Sequence, residues 1–95
     1  MARRRYLVAY DIREDRRLRS VASCMESYGE RIQYSVFICD LSEQEAVLLR
    51  GDIEVRIKPS EDSVMIIDLG RAGDSSKFLF LGHHETLPVS SAVIV

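Results

Sequence analysis

Apolar and polar positions along the chain change period several times, and each change marks an element. Residues 6–12, Tyr-Leu-Val-Ala-Tyr-Asp-Ile, form an apolar run that predicts a strand, broken near its end by one carboxylate, Asp11. Behind it Leu18, Val21, Met25 and Tyr28 recur at spacings of three, four and three, which sets them on one face of a helix over about residues 13–28, with Gly29 placed to end it. Residues 31–40 are too rich in β-branched and aromatic side chains for a helix and too long for one ordinary strand, so they predict two strands meeting at a bend or bulge near Ser35. Ser42 and Glu45 stand at capping-box spacing, and a second helix runs on to about Glu54, weakened in its middle by Gly51. Turn residues Pro59, Ser60, Glu61 and Asp62 precede a strand over 63–69. A loop over 70–76 then leads to a short fifth strand over 77–81.

Strand, helix, strand, strand, helix, strand is the order of the ferredoxin-like βαββαβ sandwich, an α+β fold with both helices on one face of an antiparallel sheet. It is expected over residues 1–82, with the fifth strand as an addition. The tail, 83–95, ends in Ala92, Val93, Ile94 and Val95, a β-prone stretch suited to joining another sheet within a dimer or on a partner. His83 and His84 are neighbours, point apart on an extended chain and read as loop residues. The strands are apolar on both sides: Tyr6, Val8 and Tyr10 are matched by Leu7 and Ala9, and Val64 and Ile66 by Met65, Ile67 and Leu69. Helices cover one face only, so the other calls for a second surface, most simply a copy of the same chain packed sheet to sheet.

Ninety-five residues make one small domain, for which oligomerisation is a natural support. No run of 18 apolar residues spans a membrane, and the apolar run behind the basic start lacks a cleavage site for secretion, so a cytoplasmic location is expected. Cys24 and Cys39 lack metal-site spacing and read as buried free thiols. Net charge is −2, yet residues 1–35 carry +3 and residues 36–95 carry −5. A locally basic face on an acidic body suits salt-sensitive phosphate binding, although Glu14 and Asp15 also offset the arginines beside them. Arg3, Arg4 and Arg5 form a basic arm that either adds phosphate contacts or keeps the N-terminus soluble.

Asp11 stands where the first strand hands over to an arginine-rich helix start. Two roles are open to it: a ligand for a hard cation beside guanidiniums that hold phosphate oxygens, or the N-cap of the helix. One Asp cannot complete a cation's shell, but two copies near a two-fold axis can share one ion.

Tyr10-Asp11-Ile12, the arginine-rich helix start, Tyr28-Gly29, Arg31-Ile32-Gln33-Tyr34-Ser35-Val36-Phe37 and Glu61-Asp62-Ser63-Val64 together resemble the CRISPR-associated protein two family over about residues 6–69. The resemblance implies a ferredoxin-like homodimer of the CRISPR spacer-acquisition machinery. In it, Asp11 from each protomer faces a shared Mg2+ and serves as metal ligand and catalytic residue of an endonuclease acting on RNA or DNA. Tyr10, Arg13, Arg16, Arg17, Arg19, Arg31, Ser35 and Phe37 are the nucleic-acid-binding candidates around that site. The resemblance also implies a role without catalysis, a DNA-binding scaffold that bridges subunits of the spacer integrase, CRISPR-associated protein one. A ribonuclease toxin and a small-molecule sensor on the same fold each leave part of this pattern unexplained.

Overall fold

The computed structural model describes residues 2–73, 78–83 and 92–94. Eight elements follow one another: β1 (Arg4–Asp11), α1 (Asp15–Glu26), β2 (Glu30–Gln33), β3 (Val36–Leu41), α2 (Glu43–Glu54), β4 (Ser63–Arg71), β5 (Phe78–Phe80) and β6 (Ala92–Ile94). The first four strands make one antiparallel sheet in the order β2-β3-β1-β4, the ferredoxin-like arrangement expected from the sequence. No helix among the described residues is long and apolar enough to cross a membrane.

Alternation along the strands sorts side chains between two faces. On the helix side Val8, Tyr10, Phe37, Cys39 and Leu41 pack with Val21 and Met25 of α1 and with Leu49 and Ile53 of α2. Both cysteines are buried free thiols, as their spacing indicated. Ser42 and Glu45 close the capping box. Helix α2 continues unbroken through Gly51 to Glu54, because the burial of Leu49 and Ile53 on either side outweighs one weak propensity. Helix α1 ends at Glu26 with Ser27 as its C-cap, and Gly29, which does not take a positive φ, is required for a different reason. A Cβ there would lie 2.2 Å from the Ile38 carbonyl oxygen and 2.6 Å from Cys39 Sγ, so the backbone approaches β3 more closely than any side chain allows.

Two boundaries moved. Strand β2 turns at Tyr34–Ser35, and the bulge lies earlier, between Arg31 and Gln33. Strand β4 extends to Arg71 through a bulge against Arg5 and Tyr6, where Gly70 takes φ 101°.

The second face is partly covered by the chain itself. Phe78 and Phe80 of β5 pack on Ile32 and Ile38, with Leu7, Val36 and Leu69 around them. Strand β6 pairs with β5 in parallel, so the apolar tail finds its mate within its own chain. Met65 and Ile67 on β4 stay 53% and 39% exposed, and they lie opposite Ala9 and Leu7 of β1. Lys77, His84, Val95 and the remainder of the loop and tail named above lie outside the described residues, whereas His83 is exposed in a bend.

The basic start is not a loose arm. Arg5 is 1% exposed and grips Asp40 through two bonds of 2.8 Å, the two residues being direct cross-strand partners. Arg4 donates to Asp68 at 2.8 Å, and Arg3 pairs with Glu45 at 2.5 Å. These guanidiniums are held by carboxylates of β3, β4 and α2, which is why β1 begins at Arg4.

Candidate functional site

Asp11 is the last residue of β1 and shares its face with Leu7 and Ala9, the side without helices. Its side chain is 71% exposed, and its described ion pair is with Arg13, 3.7 Å away and equally open to solvent. It does not cap α1. Glu14 does so, accepting from the backbone N–H groups of Arg16 at 2.8 Å and Arg17 at 2.9 Å, bonds that hold its carboxyl below the usual range. The helix accordingly starts at Asp15 rather than at residue 13, and of the two roles open to Asp11 the structural one is taken by another residue.

Arg17 is turned inward. Its guanidinium reaches Asp62 at 2.8 and 3.2 Å and Glu61 at 2.9 Å. The Asp62 side chain is fully buried and also accepts from the backbone N–H groups of Arg13 at 3.0 Å and Lys58 at 2.8 Å. The Arg17 bonds, with help from those two amides, hold the Asp62 carboxyl far below the ordinary range. This cluster pins the start of α1 to the loop before β4 and so fixes the direction in which the strand end of β1 emerges. Arg17 therefore braces the site, whereas a phosphate-binding guanidinium has to be free. Asp62 is the residue that sequence reading passed over as turn chemistry. Its main partner lies 45 residues away, and no local pattern announces such a pair.

Across the sheet from Asp11, on the helix side, lies a second group. Tyr10 stacks on Phe37 with ring centroids 6.2 Å apart, and the Arg31 guanidinium sits 5.3 Å above the Phe37 ring. The Tyr10 N–H donates to the Ser35 carbonyl at 3.1 Å, which ties the β2–β3 turn to the end of β1. Phe37 is fully buried, so it supports Tyr10 and Arg31 rather than touching a nucleic acid. The Tyr10 hydroxyl is buried beside the Arg31 guanidinium, and burial pushes its pKa up. Arg16, Arg19 and Arg31 are exposed and make no ion pair among the described residues. The candidates thus divide into Asp11 and Arg13 on one side of the strand end, and Tyr10, Arg19 and Arg31 on the other.

Among the described residues no group of three or more His, Cys, Asp or Glu side chains converges on one point. At the end of β1 the strand offers a hard cation the single carboxylate of Asp11, which fits half of a shared site and not a whole one.

The chain is similar to known proteins over most of its length. The family model described as CRISPR associated protein Cas2 matches residues 4–76. A relative from Synechocystis, named CRISPR-associated endoribonuclease Cas2 3, is 41% identical over 64 residues, covering 67% of this chain and 70% of its own. One from Thermus thermophilus, named CRISPR-associated endonuclease Cas2 2, is 39% identical over 79 residues, covering 74% and 88%. Among solved structures, a hypothetical protein from Thermus thermophilus superposes with a TM-score of 0.76 at 36% identity, over 88% of this chain and 96% of that one. Cas2 from Streptococcus pyogenes gives 0.62 at 32% identity, over 66% and 82%.

Proposed function

Because the chain belongs to the CRISPR-associated protein Cas2 family, we propose that it is a magnesium-dependent endonuclease of CRISPR spacer acquisition, working in the cytoplasm as a homodimer. The relatives named endoribonuclease and endonuclease support phosphodiester hydrolysis on RNA or DNA.

The observation that carries this reading is the setting of Asp11. It is an exposed carboxylate on the helix-free face, opposite Ser63 and next on that face to the pair of half-buried Ala9 and exposed Met65. Packing that apolar patch against its copy buries Met65 and Ile67 and brings two Asp11 carboxylates toward one axis. Those carboxylates would hold Mg2+, which would supply Lewis-acid activation of water and offset charge developing on the phosphate. Arg13, exposed and 3.7 Å from Asp11, positions that carboxylate and would bind the phosphate. Arg16 and Arg19 bind the flanking backbone, while Arg17 keeps the helix start in place.

The unpaired Arg16, Arg19 and Arg31 also favour a second reading, a scaffold that holds duplex DNA against the spacer integrase with Asp11 unused. Cleavage of labelled single-stranded RNA and duplex DNA in magnesium, by wild type and Asp11→Asn purified in parallel, separates the two. Loss of cutting in the variant supports the nuclease. Equal cutting, or none by either protein with DNA binding intact, leaves the scaffold.

A further inference from the structure

Between α1 and the β2–β3 turn lies a cavity of about 210 Å³ lined by Tyr10, Leu18, Arg19, Ala22, Arg31 and Tyr34. Leu18 and Ala22 are partly buried members of the core and form an apolar wall. Arg19 and Arg31 bring two guanidiniums that no described carboxylate engages. Tyr10, only 6% exposed, also lines this cavity. Tyr34, at the tip of the turn, is 73% exposed and offers a ring at the rim.

We propose that this cavity takes one unpaired nucleotide, its base stacked on Tyr34 and its phosphate on Arg19 and Arg31. Each part of the ligand answers one part of the wall. Flat aromatic bases stack on tyrosine whatever their sequence, guanidiniums clamp a phosphate, and the apolar side excludes water from the base edge. At about 210 Å³ the cavity takes only part of a nucleotide, so the base lies over Tyr34 at the rim and larger ligands are excluded. A base within a duplex cannot enter, because its faces are already stacked on its neighbours. Strand preference would then be set on the helix side of the sheet, away from Asp11, and single-stranded substrates would be held at two points per protomer.

This rests on the nucleic-acid reading above, and the test tells the two apart. A single-stranded oligonucleotide carrying one 2-aminopurine, and the matching blunt duplex, are titrated with the full-length protein at low salt while anisotropy and 2-aminopurine emission are followed. Wild type is expected to bind both and to quench 2-aminopurine in the single strand only. Tyr34→Ala should abolish that quenching and weaken single-strand binding about tenfold, whereas Tyr34→Phe retains both. Binding of both nucleic acids without quenching, or quenching that survives Tyr34→Ala, would overturn the pocket and leave the nuclease or scaffold reading standing. Binding of neither by wild type would remove the nucleic-acid reading and the pocket with it.

Discussion

Tyr10 and Asp11 are adjacent in the chain and face opposite sides of the sheet. Tyr10 is buried against Phe37 beneath the helices, and Asp11 is open on the side that has none. One residue anchors the strand end in the core, and the next is presented where a second protomer would sit. A one-residue slip of β1 would exchange them, which is why the strand's register matters to the chemistry. That register is held by the pairing of Tyr10 with Val64 and by its bond to Ser35.

Asp62 should make the fold acid-sensitive. Its carboxyl lies below its ordinary value of 3.8 in the folded chain. A depressed folded pKa contributes stability above the unfolded value, and that contribution is lost as pH falls through the unfolded value toward the folded one. Thermal unfolding should therefore move to lower temperature from about pH 4 downward. In Asp62→Asn the curve should start lower at neutral pH and flatten over that range. An unchanged acid limb in the variant would place the sensitivity elsewhere.

Arg5 and Asp40 form a pair in which the guanidinium is 1% exposed and its Nη1 lacks a partner. Asp40→Ala strands that charge and should cost about 3 kcal/mol or more in urea unfolding. Replacing both, as Arg5→Met with Asp40→Leu, should recover most of the loss, because two apolar side chains need no mutual desolvation.

Two glycines should respond in opposite directions to the same change. Gly51 lies in α2 with nothing within 4 Å of an added Cβ, so Gly51→Ala should stabilise by about 0.5–1 kcal/mol. Gly29→Ala drives a methyl into the Ile38 carbonyl oxygen and should destabilise by about 2 kcal/mol or more. Chemical denaturation of both variants checks the pair.

Cys39 is fully buried, and burial pushes its thiol up to about 12, while Cys24 is raised by the same cause. Neither should react with a thiol reagent in the native state at pH 8, and both should react once the chain is unfolded. Fast native labelling would mean that β3 or α1 opens readily.

Strand and helix identities were legible because they rest on local patterns: the apolar and aromatic run of β1, the spacing of Leu18, Val21 and Met25, and the Ser42–Glu45 box. What escaped was set by distant partners. Arg17 and Asp62 are 45 residues apart, and Arg5 and Asp40 are 35 apart, so nothing near either arginine distinguishes a structural brace from a phosphate ligand. The cap of α1 is a local matter instead: Glu14 accepts from Arg16 and Arg17, two and three residues on, so the role left open to Asp11 went to a neighbour. The pairing of β6 with β5 is also a long-range choice, and an apolar tail alone does not name its mate.

The central claim is that Asp11 is half of a metal site completed by a second copy. Mn2+, standing in for Mg2+, can be titrated into wild type and Asp11→Asn and followed by the fall in the free-ion electron paramagnetic resonance signal. The account predicts one Asp11-dependent ion for every two chains. One ion per chain, or binding that survives Asp11→Asn unchanged, would contradict it.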